Sequence, residues 1–87
     1  MLHTLMTVRD SKADSFNKPF TLRTKEEGIR GFAEVANDPN TTIGKYPEDH
    51  DLYLLGTFNE ITGQLVAEDA PKHIVSAITL VRTGKED

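Results

Sequence analysis

The sequence predicts an α+β fold: a small antiparallel sheet of three to four strands packed on one main helix, in the order β-α-β-β, with a short helix or strand at the C-terminal end. Three observations predict it. The opening residues alternate in character, a capped apolar stripe follows at helical spacing, and a run of apolar and β-favouring residues leads into a hairpin signal.

In the first segment Leu2, Thr4, Met6 and Val8 alternate with His3, Leu5, Thr7 and Arg9, which suits a strand with one well-buried face. The polar run at 10–15 ends it. Pro19 has no N–H for an interior ladder, so residues 10–22 read as an irregular arm or edge segment. Thr24 with Glu27 three residues later forms a capping box, in which each side chain serves a free backbone N–H at the helix start. Ile29, Phe32, Ala33 and Ala36 then make the apolar stripe, and Asn37-Asp38-Pro39 stops it. Gly28 and Gly31 weaken this helix by about 1 kcal/mol each relative to alanine. They either admit a close neighbour or are simply tolerated. Residues 37–51 form a long connection with room for a turn of helix at Pro47-Glu48-Asp49. Residues 52–58 read as the central strand, covered on both faces and the most buried segment. Residues 59–63 are a hairpin loop with Gly63 at its left-handed position, and the return strand spans 64–67. For 72–81 the apolar spacing fits both helix and strand; a short helix or turn leading into an extended end is the expectation, with 84–87 fraying.

Eighty-seven residues make one domain, 1–87, and without cysteine neither disulfides nor zinc thiolates reinforce its thin core. A homo-oligomer, in the first instance a dimer, is the remaining way to extend that core. No apolar run approaches the roughly 20 residues of a membrane span, and no signal peptide is expected. The net charge of −4 is unevenly spread, with +2 over residues 1–33, −7 over 34–69 and +1 over the remainder. Such segregation either gives one basic and one acidic face, if neighbours in sequence share a surface, or is a solvated surface with no partner, the more ordinary reading.

The residues offer little to catalysis. Ser11, Ser15 and Ser76 lack an elbow motif and no phosphate-cradling glycine loop is present, so the chain is expected to be neither an enzyme nor a cofactor binder. His50 lies between Asp49 and Asp51, but adjacent residues on an extended chain point in different directions, and no metal site is expected there. That acidic run reads as a solvated loop, and His3 and His73 have no recognisable partners. The N-terminal third does carry the cations and aromatics of a single-strand surface: Arg9, Lys12, Phe16, Lys18, Phe20 and Arg23, joined by Lys45 and Tyr46. Phe16 and Phe20 are more often core anchors for such an arm, and Tyr53 reads as core or interface. With a negative net charge, any binding is expected to be weak and strongly salt-dependent.

Several phrases in order resemble the small nonstructural protein of gokushoviruses, the single-stranded DNA phages of the microvirus group. They are Val8-Arg9-Asp10-Ser11-Lys12-Ala13 with Phe16 and Pro19, Arg30-Gly31-Phe32 with Asn37-Asp38-Pro39, and Tyr46-Pro47-Glu48-Asp49-His50-Asp51-Leu52-Tyr53 running into Leu55-Gly56-Thr57-Phe58. Thr62-Gly63 and Pro71-Lys72-His73-Ile74 complete the match, over roughly residues 4–80. The resemblance implies a non-virion protein of the host cytoplasm that acts in genome replication, in the shift from duplex replication to single-stranded progeny DNA. It implies no catalytic residue. His50 stands where that family commonly has an aromatic, which weakens a stacking role at that position. Single-stranded DNA is the partner expected first. The rival expectation is an adaptor that binds the viral initiator or a host replication protein through the acidic half and an edge strand, and a third is an oligomeric scaffolding-like component.

Overall fold

Alternation over residues 2–10 produces strand β1 (Leu2–Asp10), and the computed structural model, which describes residues 1–82, pairs it on both sides. On one side lie two short pieces of the arm, β2 (Ser15–Phe16) and β3 (Phe20–Leu22); on the other lies β4 (His50–Asn59). The last strand, β5 (Leu65–Ser76), pairs with β4, giving a five-stranded antiparallel sheet in the order β2-β1-β4-β5 with β3 also on β1. The arm is thus an edge, as its proline required, but it forms two short strands and brings the sheet to five where three or four were expected.

The helix α1 (Lys25–Ala36) starts where the capping box placed it: the Thr24 hydroxyl accepts from Glu27 N at 3.1 Å. Glu27 returns its bond to Arg23 N at 3.0 Å, one residue before the cap itself. A second helix, α2 (Thr42–Lys45), went unseen in the long connection; Thr41 caps it by accepting from Gly44 N at 2.9 Å. A 3-10 turn at Pro47–Asp49 follows, as the proline and two acids suggested.

Alternation sorts the sheet into two faces. Met6, Val8, Leu52 and Leu54 face the helices and pack with Phe32 and Ala36 of α1 and with Ala77, while Leu22, Ile29, Ile43 and Ile74 close the rim. Met6 and Leu52 are fully buried, and each contributes about 1.5–3 kcal/mol of burial free energy. Gly28 has a steric reason: a Cβ there would sit 2.9 Å from Leu22 Cδ1 and closer still to Met6 Sδ. Gly31 has none, since a Cβ would meet nothing within 4 Å.

Three expectations need correction. The central strand is not covered on both faces; β4 buries His50, Leu52 and Gly56 but leaves Tyr53 half-buried. The best-buried run is Met6-Thr7-Val8 of β1, because the strand is paired on both sides, Met6 and Val8 pack against α1, and Thr7 donates to Asn17 O at 2.7 Å. Finally, the return strand does not stop at Ala67. Residues 68–71 bulge opposite Leu55, pairing resumes at Lys72 opposite Leu54, and Pro71 is tolerated because β5 is an edge. Residues 72–76 are therefore strand, and a 3-10 turn occupies Ala77–Leu80. The hairpin loop is as read, with Gly63 at φ 77° donating to Asn59 O at 2.7 Å. The expected frayed tail at 84–87 lies outside the described residues.

Candidate nucleic-acid interface

The face of the sheet turned away from α1 carries a row of side chains that crosses four strands. A tight turn begins it: Asp10 Oδ1 accepts from Lys12 N and Ala13 N at 3.0 and 3.2 Å, and the chain reverses so that Phe16 pairs with Arg9. The Arg9 guanidinium carbon lies 5.9 Å from the Phe16 ring centre and forms an ion pair with Asp14. Phe16 meets Tyr53 of β4 edge-on, with centroids 5.2 Å apart and planes at 80°. Tyr53 in turn meets His73 of β5 at 5.4 Å and 86°. Phe16 is 45% exposed and the His73 side chain 48%, so the row is open to solvent at both ends.

Beyond His73 the row ends on Asp51. Its Oδ1 lies 3.0 Å from His73 Nε2 and also accepts from the Ser76 hydroxyl. Serine, histidine and aspartate together invite comparison with a nucleophile relay, but the geometry differs. Ser76 bonds the carboxylate directly, and the ring atom that faces Asp51 is also the one 3.4 Å from Ser76, so no imidazole bridges acid and hydroxyl. Asp51 is an anchor for the two β5 side chains. Successive rings in the row are perpendicular, so at most every second ring can lie parallel to the sheet. A base would find separate stacking faces there, not one continuous platform.

Only two of the eight sequence-derived residues, Arg9 and Phe16, belong to this row. Phe20 is on the opposite face, lining a hollow with Val8, Leu22, Phe32, Val35 and Ile43. Arg23 sits at the start of α1 among Thr24, Glu26, Glu27 and Arg30. Lys12 and Tyr46 share a groove with Asp10, Glu48, Asp49 and His50. Lys18 is exposed on the arm between β2 and β3, and Lys45 is exposed at the end of α2.

The charge split along the sequence does not become two faces. Antiparallel pairing lays Arg9 of the basic third opposite Asp51 of the acidic third, and Asp10 opposite His50, so the segments interleave. His3 and His73, read as partnerless, both have acids beside them: His3 Nε2 lies 2.7 Å from Glu60 Oε1, and His73 contacts Asp51. The hydrogen bond from His3 holds the exposed Glu60 carboxyl below its ordinary range, with desolvation opposing and the charge of His3 assisting. His50, read as part of a solvated loop, is buried at 4% exposure.

Sequence reading missed Tyr53, His73, Asp51 and Ser76 as site residues. The odd-numbered positions of β4 carried a faint signal, Asp51 and Tyr53 alternating with Leu52 and Leu54, but only the β4–β5 register brings His73 and Ser76 to them.

No curated protein and no solved structure matches the chain. Among the described residues no helix is long and apolar enough to cross a membrane. A family model does match, spanning residues 3–80 and so covering β1 through the final 3-10 turn with every residue of the row, and on that span the chain belongs to the family described as phage ORF5 protein.

Proposed function

We propose that this phage protein is a non-enzymatic factor of viral genome replication that binds single-stranded DNA weakly, on the open face of its sheet. The observation that supports this reading is the row Phe16, Tyr53 and His73 beside Arg9, on the face turned away from α1. Aromatic faces with a nearby guanidinium suit unpaired bases, each stacked base being worth about 1–3 kcal/mol. The resemblance to the gokushovirus nonstructural protein supports a role in the shift toward single-stranded progeny, in the host cytoplasm.

The interleaved charges change the expected salt dependence. A strongly salt-dependent interaction needs many phosphate contacts, whereas among the described residues the row holds one cation, Arg9, beside Asp14 and Asp51. With one or two contacts the slope of log K against log salt is only about −0.7 to −1.4 for a single strand. Titrating a fluorescent oligodeoxynucleotide at several low salt concentrations tests this. Phe16→Ala should weaken binding by about fivefold or more, and Arg9→Gln should flatten the slope by about 0.7. Absence of binding even at the lowest salt would discard direct DNA contact.

A second reading is favoured by the edge strand. Among the described residues β5 has no neighbour on its outer side, and Ile61, Leu65 and Val66 around the hairpin are 78%, 62% and 57% exposed. An extended segment of a replication protein, or β5 of a second copy in a dimer, would pair there by backbone hydrogen bonds. Recovery of the same partner from nuclease-treated infected-cell extract favours this adaptor reading; loss of all partners with the DNA refutes it.

A further inference from the structure

We propose that two copies of this chain join edge to edge at residues 65–67 of β5, about a two-fold axis at Val66, and so bring two aromatic rows onto one continuous face. The pairing rests on the edge-strand reading above; the row matters only to what the pair would bind.

The backbone decides which residues are free to pair. Asn59 N donates to Gln64 O at 2.9 Å and Asn59 O accepts from Gly63 N at 2.7 Å, so the hairpin closes on a hydrogen-bonded pair. Bonded and unbonded pairs alternate along an antiparallel ladder. Val66, opposite Thr57, therefore turns its N–H and C=O toward β4, where a Cβ on Gly56 would collide with its carbonyl oxygen. Leu65 and Ala67, opposite Phe58 and Gly56, turn theirs outward, where among the described residues no strand meets them.

The free stretch is short. Past Ala67 the strand bulges over residues 68–71, and Pro71 has no N–H, two features that keep foreign strands off an edge. A long extended segment of another protein is thus turned away, whereas a second copy of the same residues fits. Antiparallel pairing about Val66 sets Leu65 opposite Ala67 of the second copy and the reverse, and each such pair exchanges both of its N–H···O bonds. Val66, 57% exposed, meets its own counterpart in the closer, unbonded type of pair, and Leu65, 62% exposed, lies beside an alanine. At the margin Gln64 faces Glu68 of the second copy, an amide donor to a carboxylate, and no like charges are opposed.

The axis stands perpendicular to the sheet, because antiparallel neighbours in one sheet keep the same face up. Both rows therefore look the same way. Strands β4 of the two copies are three strand spacings apart, about 14 Å, and Tyr53 lies three to four ladder positions from the Thr57–Val66 pair, so the rows stand about 25–30 Å apart. One oligonucleotide spanning both turns two weak contacts into a stronger one. So few residues a side, against roughly 20–30 in a standard interface, make the association weak, with a dissociation constant of about 0.1–1 mM.

Sedimentation of the full chain at increasing concentration, with amide hydrogen exchange followed by NMR, tests the pairing. The expected result is a reversible dimer at about 1 mM, with the Leu65 and Ala67 amides exchanging more slowly as concentration rises. Ala67→Pro removes an outward N–H and should weaken self-association about tenfold or more. Val66→Lys, which sets like charges at the axis from an exposed position, should do the same and keeps the test open should the proline unfold the hairpin. A chain still monomeric at about 1 mM, self-association that both variants retain, or slowed exchange elsewhere than at Leu65 and Ala67 would overturn the proposal. An oligodeoxynucleotide of about 12 residues should bind the parent at least about tenfold more tightly than one of about 4, a gain that Val66→Lys erases; equal binding of the two lengths overturns the shared face. Failure of both lengths to bind discards the DNA reading of the row and leaves the pairing to be decided by sedimentation.

Discussion

Replacing Asn37 with alanine should cost this protein about 2–3 kcal/mol, a large share of the roughly 5–15 kcal/mol that holds a domain folded. From the sequence Asn37 was only a helix stop; in the structure it ties Leu80 and Arg82 to α1. Its Nδ2 donates to Ala33 O at 2.7 Å and to Leu80 O at 3.0 Å, and its Oδ1 accepts from Arg82 N at 2.8 Å. Three bonds of about 1 kcal/mol each set the upper figure, and hydration of the released groups near the surface sets the lower. Urea denaturation should show the midpoint falling with the slope unchanged, and the melting temperature dropping by about 10–20 °C. Asn37→Asp sharpens the test. It keeps the acceptor for Arg82 but turns a carboxylate oxygen toward two carbonyls, so it should be no more stable than the alanine variant at neutral pH. Because the tied segment directly follows Ser76, the native-state resonances of His73 and Tyr53 should move as well. A loss below about 0.5 kcal/mol for Asn37→Ala, or an aspartate variant as stable as the parent, would refute the reasoning.

Gly31→Ala should stabilise the chain by up to about 1 kcal/mol, since the methyl group meets open space and helix propensity improves. Gly28→Ala, measured by the same denaturation, should instead destabilise, because Met6 must yield; equal effects at the two sites would contradict the packing described. Glu60 titrates below the ordinary 4.5 because His3 bonds its carboxylate. Its folded pKa is therefore depressed, and its stabilising contribution is present above the unfolded value and lost as pH falls through the lower folded one. His3→Ala should return the Glu60 carboxyl midpoint, followed by carbon NMR, toward 4.5, and an unmoved midpoint would break the assignment. Leu65→Thr with Val66→Thr should leave the denaturation midpoint within about 0.5 kcal/mol, as both side chains are largely exposed, while reducing any self-association seen by sedimentation. Unchanged association would remove the hairpin end from consideration as an interface.

Features that depend on near neighbours were legible in the residues alone. The capping box at Thr24, the stripe of Phe32 and Ala36, the hairpin turn at Gly63 and the alternation of β1 all follow from spacings of two to five residues, and local backbone physics suffices to read them. Tertiary structure decided what depends on register. The run at 68–71 looked like a strand end because Pro71 breaks a ladder, and only the position of β5 at an edge lets the strand continue past it to Ser76. That continuation creates the row, since it carries His73 to Tyr53 and Ser76 to Asp51. The cations went the other way: successive strand residues point to opposite faces, so Arg9 and Asp10 part company at one peptide bond, and a charge count along the chain could not assign either to a surface.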